Sequence, residues 1–139
     1  MAKVKTKFDS LVKLKKVKID EIENQISKMN AEIQKVQEEL ESLKQEIAEF
    51  EYPKSGNFSL ITQFKMMQKA LLNQLTQKEN NIKFLENQKN ILANKLKEAN
   101  LEYEKMKYLQ GEEIKKYLNK LKEKESKEMD EIALMLYKG

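Results

Sequence analysis

Cysteine, histidine, tryptophan and arginine are absent from this 139-residue chain, and proline and glycine number one and three. Without Cys or His there is no disulfide, no zinc site built on thiolate or imidazole, no thiol nucleophile and no imidazole base. An average chain of this length carries about 16 Gly and Pro together, so the four present leave too few turns for a compact sheet protein. Long apolar runs are also missing. The longest, Ile132 to Tyr137, is six residues, against the roughly 20 that a spanning helix needs. The start, Met1 to Asp20, is interrupted by lysines throughout and holds no signal-peptide core of about 7–15 apolar residues. The expectation is a single cytoplasmic domain that does not insert into membrane and is not an enzyme, with no cofactor and no metal.

What is present is charge and periodicity: 36% of residues are charged and 40% hydrophobic. From Phe8 to Phe50 apolar residues recur at alternating steps of three and four. One heptad frame places Val12, Ile19, Ile26, Ile33, Leu40 and Ile47 at one core position and Phe8, Ile22, Met29, Val36, Leu43 and Phe50 at the other, with Lys15 the single polar intruder. A 3.5-residue repeat held over six heptads requires a partner helix, because on a straight isolated helix the stripe would drift round the surface. A second frame runs through Ile61, Phe64, Leu71, Leu75, Ile82, Leu85, Leu92, Leu96, Ala99, Tyr103 and Met106, with Gln68, Lys78 and Lys89 as exceptions.

Between the two frames lies Glu51-Tyr-Pro-Lys-Ser-Gly-Asn57. Pro53 disfavours helical geometry at Tyr52, and Ser55 or Asn57 is placed to cap a following helix. The predicted architecture is all-α: a long antiparallel two-helix coiled-coil hairpin, with helix one over about 4–51, a turn over about 52–57 and helix two over about 58–137. Reflection through the turn pairs residue i with roughly residue 108 minus i, so Phe8 should face about Asn100. Charge supports the fold-back: residues 20–51 carry ten acids and three Lys, net −7, and residues 54–100 eight Lys and three acids, net +5. Exposed pairs contribute at most about 1 kcal/mol each, so charge selects orientation while the apolar seam supplies stability.

Helix one is used up near residue 105, where the frame meets Gln110 and Glu113 and where Gly111 weakens a helix by about 1 kcal/mol relative to Ala. Gly111 is therefore read as the end of the paired region. Beyond it comes an overhang of about 30 residues whose own stripe is Ile114, Leu118, Leu121, Met129, Ile132, Ala133 and Leu136, broken by the charged run Lys122 to Glu128. An amphipathic helix without a partner is marginal in water, so the overhang should dock on another protein or oligomerise. The pattern leaves open whether residues 111–137 continue helix two or fold back.

The plausible acid–base groups are carboxylate pairs, Glu38/Glu39, Glu112/Glu113 and Asp130/Glu131. A two-helix hairpin offers no dry pocket to shift their pKa values, so they read as solvated helix surface. No glycine-rich phosphate loop exists, since Gly56 and Gly111 are far apart. Residues 1–18 hold Lys3, Lys5, Lys7, Lys13, Lys15, Lys16 and Lys18 against Asp9, net +6. Lacking Arg and with too little interleaved aromatic surface for base stacking, the stretch suits solvated helix surface or contact with an acidic protein partner better than nucleic acid, and no nucleic-acid partner is expected. Leu11, Leu14 and Val17 suggest a second apolar stripe there, unless the overhang covers them. Phe50, Tyr52, Phe58, Phe64, Met66 and Met67 cluster about the turn, either as a plug closing the coil or as an adaptable binding tip.

Three stretches resemble the FliJ family of flagellar type III export proteins. Phe8-Asp-Ser-Leu-Val-Lys-Leu-Lys15 is similar to the family's opening, Thr62-Gln-Phe64 with Gln68-Lys-Ala-Leu71 to its post-turn stretch, and Lys127-Glu-Met-Asp-Glu-Ile-Ala133 to its C-terminal signature. The first aromatic of the post-turn stretch is replaced by Ile61 or Thr62. The resemblance implies a cytoplasmic component of the flagellar type III export apparatus that inserts its termini into the hexameric ring of the export ATPase and reaches a membrane-embedded export gate with its tip. It also implies handling of export chaperones, peripheral association with the inner-membrane apparatus and a role in flagellar assembly and motility. Phe8, Leu11, Met129, Ile132 and Leu136 would contact the ring, and Phe58, Phe64, Met66 and Met67 the gate. The alternatives are the equivalent stalk of a virulence secretion system and a generic adaptor or prefoldin-like chaperone; the latter normally carries strand hairpins, for which Glu51 to Asn57 shows no pattern.

Overall fold

The computed structural model describes residues 4–51 and 56–138. They form two helices packed against each other, α1 (Asp9–Ala48) and α2 (Phe58–Lys138), with no strand among the described residues. This is the all-α helical hairpin that the two heptad frames predict. Tyr52, Pro53 and Ser55, expected at the turn, and Lys3 of the basic stretch lie outside the described residues.

α1 begins at Asp9 rather than near residue 4 because a side-chain cap fixes its start. The Asp9 carboxylate accepts from the Thr6 backbone N–H at 3.1 Å and from the Thr6 hydroxyl at 2.7 Å, while the same hydroxyl accepts from the Phe8 N–H at 3.2 Å. The Thr-x-x-Asp spacing works as a capping box, satisfying backbone donors that the first turn cannot. At the other end the Phe50 N–H reaches the Ile47 carbonyl, a tightened last step. α2 is capped by Asn57, whose side-chain oxygen accepts from the Leu60 N–H at 2.9 Å.

By packing, the chain divides into residues 22–96 and residues 1–21 with 97–139. In the first unit Ile22, Ile33, Val36 and Leu43 are buried, and in the second Ile19 is 2% exposed. All five lie on α1 at frame positions, and α2 contributes no buried residue. Four of the five are β-branched, and the α2 seam side chains that lie over them are half-exposed. Every position of the first frame is buried or half-buried, Lys15 included, and in the second frame only Ile61 is exposed. Lys15 and Lys78 keep the seam geometry by running their stems along it with their ammonium groups at Glu102 (3.9 Å) and Glu39 (2.6 Å).

The cross-helix pairs correct the register. Glu39–Lys78 and Lys15–Glu102 have residue numbers summing to 117, Asp9–Gln110 to 119, Lys7–Glu113 to 120 and Phe50–Phe64 to 114, where symmetric reflection gives 108. Two causes account for the shift. Residues 58–63 precede the first ring-on-ring contact, Phe64 on Phe50, so α2 enters the seam late. In addition, each helical side chain leans toward its own N-terminus, so in antiparallel helices long side chains meet from Cα positions with a larger sum.

Gly111 does not end the pairing. α2 runs through it unbroken; Gln110 donates to Asp9 at 2.8 Å and Glu113 pairs with Lys7 at 3.8 Å. The pairing extends to Ile114, and from Lys115 to Lys138 every residue is exposed. The overhang is thus a continuation of α2, about 24 residues or 36 Å long at 1.5 Å per residue. It does not fold back onto Leu14 and Val17, which remain 63% and 51% exposed.

Candidate functional site

Three carboxylates of these pairs are bound into helix surface chemistry. Glu38 accepts from Gln34 at 3.2 Å, Glu39 holds Lys78, and Glu113 holds Lys7. Two carboxyls are displaced from their ordinary values, both downward: Asp9 by hydrogen bonds from Gln110 and Thr6, Glu39 by the hydrogen bond and charge of Lys78. A general acid or base working near neutrality needs a shift upward, so these are structural anions.

Part of the N-terminal basic stretch is answered by the chain's own acids. Lys7 pairs with Glu113, Lys15 with Glu102 and Lys16 with Asp20, and the Lys7 and Lys16 ammonium groups lie 5.3 Å and 6.0 Å from the Phe8 and Tyr103 ring centres. Loose and solvent-exposed as these ion pairs are, they reduce the field available to an external polyanion.

Beside the turn, within the unit of residues 22–96, the expected tip residues separate into two roles. Phe64 packs on Phe50 with ring centres 5.6 Å apart and planes tilted by 51°, a separation in the favourable range for aromatic pairs, so these two close the coil. Phe58, Met66 and Met67 are 85%, 68% and 57% exposed. They do not share one face: at 100° per residue Met67 lies opposite Phe58 and above Leu60, itself exposed. Leu60 was not among the expected tip residues, although its seven-residue spacing from Met67 was readable.

The other unit carries the overhang. Met129, Ile132 and Leu136, at steps of three and four, align on one face and are 69%, 53% and 77% exposed. Leu118 and Leu121 continue that face toward the paired region, and Tyr117, Leu134 and Met135 add apolar surface beside and behind it. Phe8 is half-buried and Leu11 is exposed. The structure does not bring them to the Met129 face: Asp9 is tied to Gln110, 19 residues or about 28 Å of helix before Met129. No helix among the described residues is long and apolar enough to cross a membrane.

A scan against protein families matches residues 4–139 to the family described as "FliJ: Flagellar FliJ protein". The chain belongs to the FliJ family. The match covers nearly the whole chain, both helices and the overhang included. No curated protein and no solved structure gives a match. Membership in the FliJ family, a non-catalytic structural family, implies a component of the flagellar export apparatus with a part in protein transport.

Proposed function

We propose that this FliJ-family chain is a non-enzymatic stalk that binds the hexameric ring of the flagellar export ATPase through its overhang and links that ring to the membrane-embedded export gate. The observation that carries the reading is residues 115–138: a helical extension, exposed at every position, with an apolar face and no covering partner among the described residues. Burying a large apolar side chain is worth about 1.5–3 kcal/mol, so Met129, Ile132 and Leu136 hold several kcal/mol that only another molecule can realise. A ring with an apolar bore supplies such burial, and the regular helix provides a straight insert. Phe8 and Leu11, about 28 Å back along the helix, act at a second level of the same insertion.

At the turn, Phe58, Met66 and Met67 offer adaptable apolar surface to the export gate, and Phe64, seated on Phe50, fixes the start of α2 from which they project. The chain works in the cytoplasm, peripherally at the inner-membrane apparatus, escorts export chaperones, and is required for flagellar assembly and motility. The matched family, described as flagellar, favours this system over a virulence secretion system. The test is a pull-down of a flagellar-type export ATPase by the purified chain, with the ATPase rate and the hexamer fraction followed together. Binding with a raised hexamer fraction is expected; no binding and no change in either quantity contradicts the proposal.

A further inference from the structure

The overhang has a symmetry that docking into a ring does not require. Ile114, Leu118, Leu121, Glu125, Met129, Ile132 and Leu136 are spaced 4, 3, 4, 4, 3 and 4 residues apart. The series reads the same from either end, centred on Glu125. At 100° per residue the seven positions lie within about 40° of a single line, and their mean step of about 3.7 residues is that of an 11-residue repeat, which pairs helices with a shallow right-handed supercoil.

Charge along the same segment is polarised. Residues 115–122 contain four Lys and no acid, net +4; residues 123–131 contain five acids and two Lys, net −3. Two copies side by side in parallel would set basic block on basic block. Turned antiparallel about Glu125, Lys120 and Lys122 of each copy face Asp130 and Glu128 of the other and Glu123 faces Lys127, while Leu118 faces Ile132 and Leu121 faces Met129. From Lys115 onward each of these residues is exposed, and Ile114 is half-buried against the end of the paired region.

We infer that the overhang is a pairing surface for a second copy of this chain, joined antiparallel about Glu125. Like charges meet only at the centre, Glu125 on Glu125, and there Lys122 of the other copy lies within one turn of each carboxylate. The pair covers Leu118, Leu121, Met129 and Ile132, including residues assigned above to the ATPase ring. Self-pairing and ring insertion therefore exclude each other, and the dimer is the form in which the chain keeps this face from water when no ring is present. The inference stands on the overhang's own spacing and charge, independently of the stalk reading.

Sedimentation equilibrium of the full chain should show a mass that doubles with concentration and a dimer that weakens as salt is raised. Leu121→Asp should make the chain monomeric without loss of helix in the paired region. Lys120→Glu with Lys122→Glu should also give monomers, and mixing that variant with Glu128→Lys plus Glu131→Lys should restore the dimer mass. Orientation is read from nitroxides on single-cysteine variants. In the antiparallel pair Ser126→Cys gives a short distance and Lys116→Cys one with about 27 Å of axial offset. Short distances at both sites would mean parallel pairing and overturn the inference. So would a chain that stays monomeric at every concentration, including one that binds the ATPase hexamer through this same face, or a dimer that survives Leu121→Asp.

Discussion

Replacing Ile19 by Ala tests whether one enclosed side chain per few turns carries the stability of so thin a fold. Ile19 is 2% exposed at a seam position, and Ala removes three carbons beyond Cβ. At about 0.8 kcal/mol per buried carbon the transfer loss is about 2.4 kcal/mol. A cavity contribution is small, because the half-open α2 side chains over the site can settle into the space. The expected loss is therefore about 2–3 kcal/mol, or on the order of 10 °C in Tm for a chain of this size. Leu14→Ala, five residues earlier on the same helix but 63% exposed, should cost under about 0.5 kcal/mol. Both are measured by urea and thermal unfolding followed at 222 nm. Equal losses for the two variants would refute the assignment of the seam and place Leu14 in a buried environment.

The remaining outcomes follow from the seam, the caps and the overhang. Lys15→Leu should stabilise by about 1 kcal/mol, since its half-buried stem is replaced by an apolar group and the 3.9 Å pair with Glu102 is exposed and weak; chemical denaturation reads the gain. Gly111→Ala should stabilise by a similar amount, because nothing lies within 4 Å of the added Cβ and the residue is inside α2. Asn57→Ala should cost about 1 kcal/mol through loss of the cap on Leu60, seen as faster amide exchange in the first turn of α2. Asp9 and Glu39 both have folded pKa values below their ordinary 3.8 and 4.5, so their contribution is complete above those values and is lost as pH falls through the lowered ones. Asp9→Asn and Glu39→Gln should each flatten the acid limb of a pH–stability curve below about pH 4.5, leaving its shape near neutrality unchanged.

The seam is legible in the sequence at every frame position but Ile61, which is exposed, because its signal is a period, and a period survives an occasional wrong residue. Lys15, Lys78, Lys89 and Gln68 break the chemistry of the frame and still occupy its geometry, half-buried as their places require. Register was not legible to the same degree. It depends on where α2 first engages, which Phe50 and Phe64 set through a ring contact that periodicity does not encode, and on the lean of long side chains. Gly111 misled for a related reason: a weak helix former and two polar frame residues resembled an ending, but Gln110 and Glu113 find Asp9 and Lys7 across the seam. The start of α1 was hidden in Thr6-x-x-Asp9, a capping spacing readable in retrospect. Of the candidate site, the overhang's apolar face is visible in spacing alone; the division of the turn residues into a plug and an exposed surface rests on the Phe50–Phe64 contact, which spacing does not encode.

On the proposed function, the overhang face carries the main hold on the export ATPase ring, with Phe8 and Leu11 at a second level. The most direct test of that hold is the affinity of the Met129→Asp, Ile132→Asp chain for the assembled ATPase hexamer, measured beside its helix content. Binding should be lost while the helix signal and unfolding of the paired region stay within about 0.5 kcal/mol of the parent, as for exposed substitutions. Undiminished binding would contradict the proposed function, and so would collapse of the whole hairpin, which would make the overhang part of the fold rather than its docking surface.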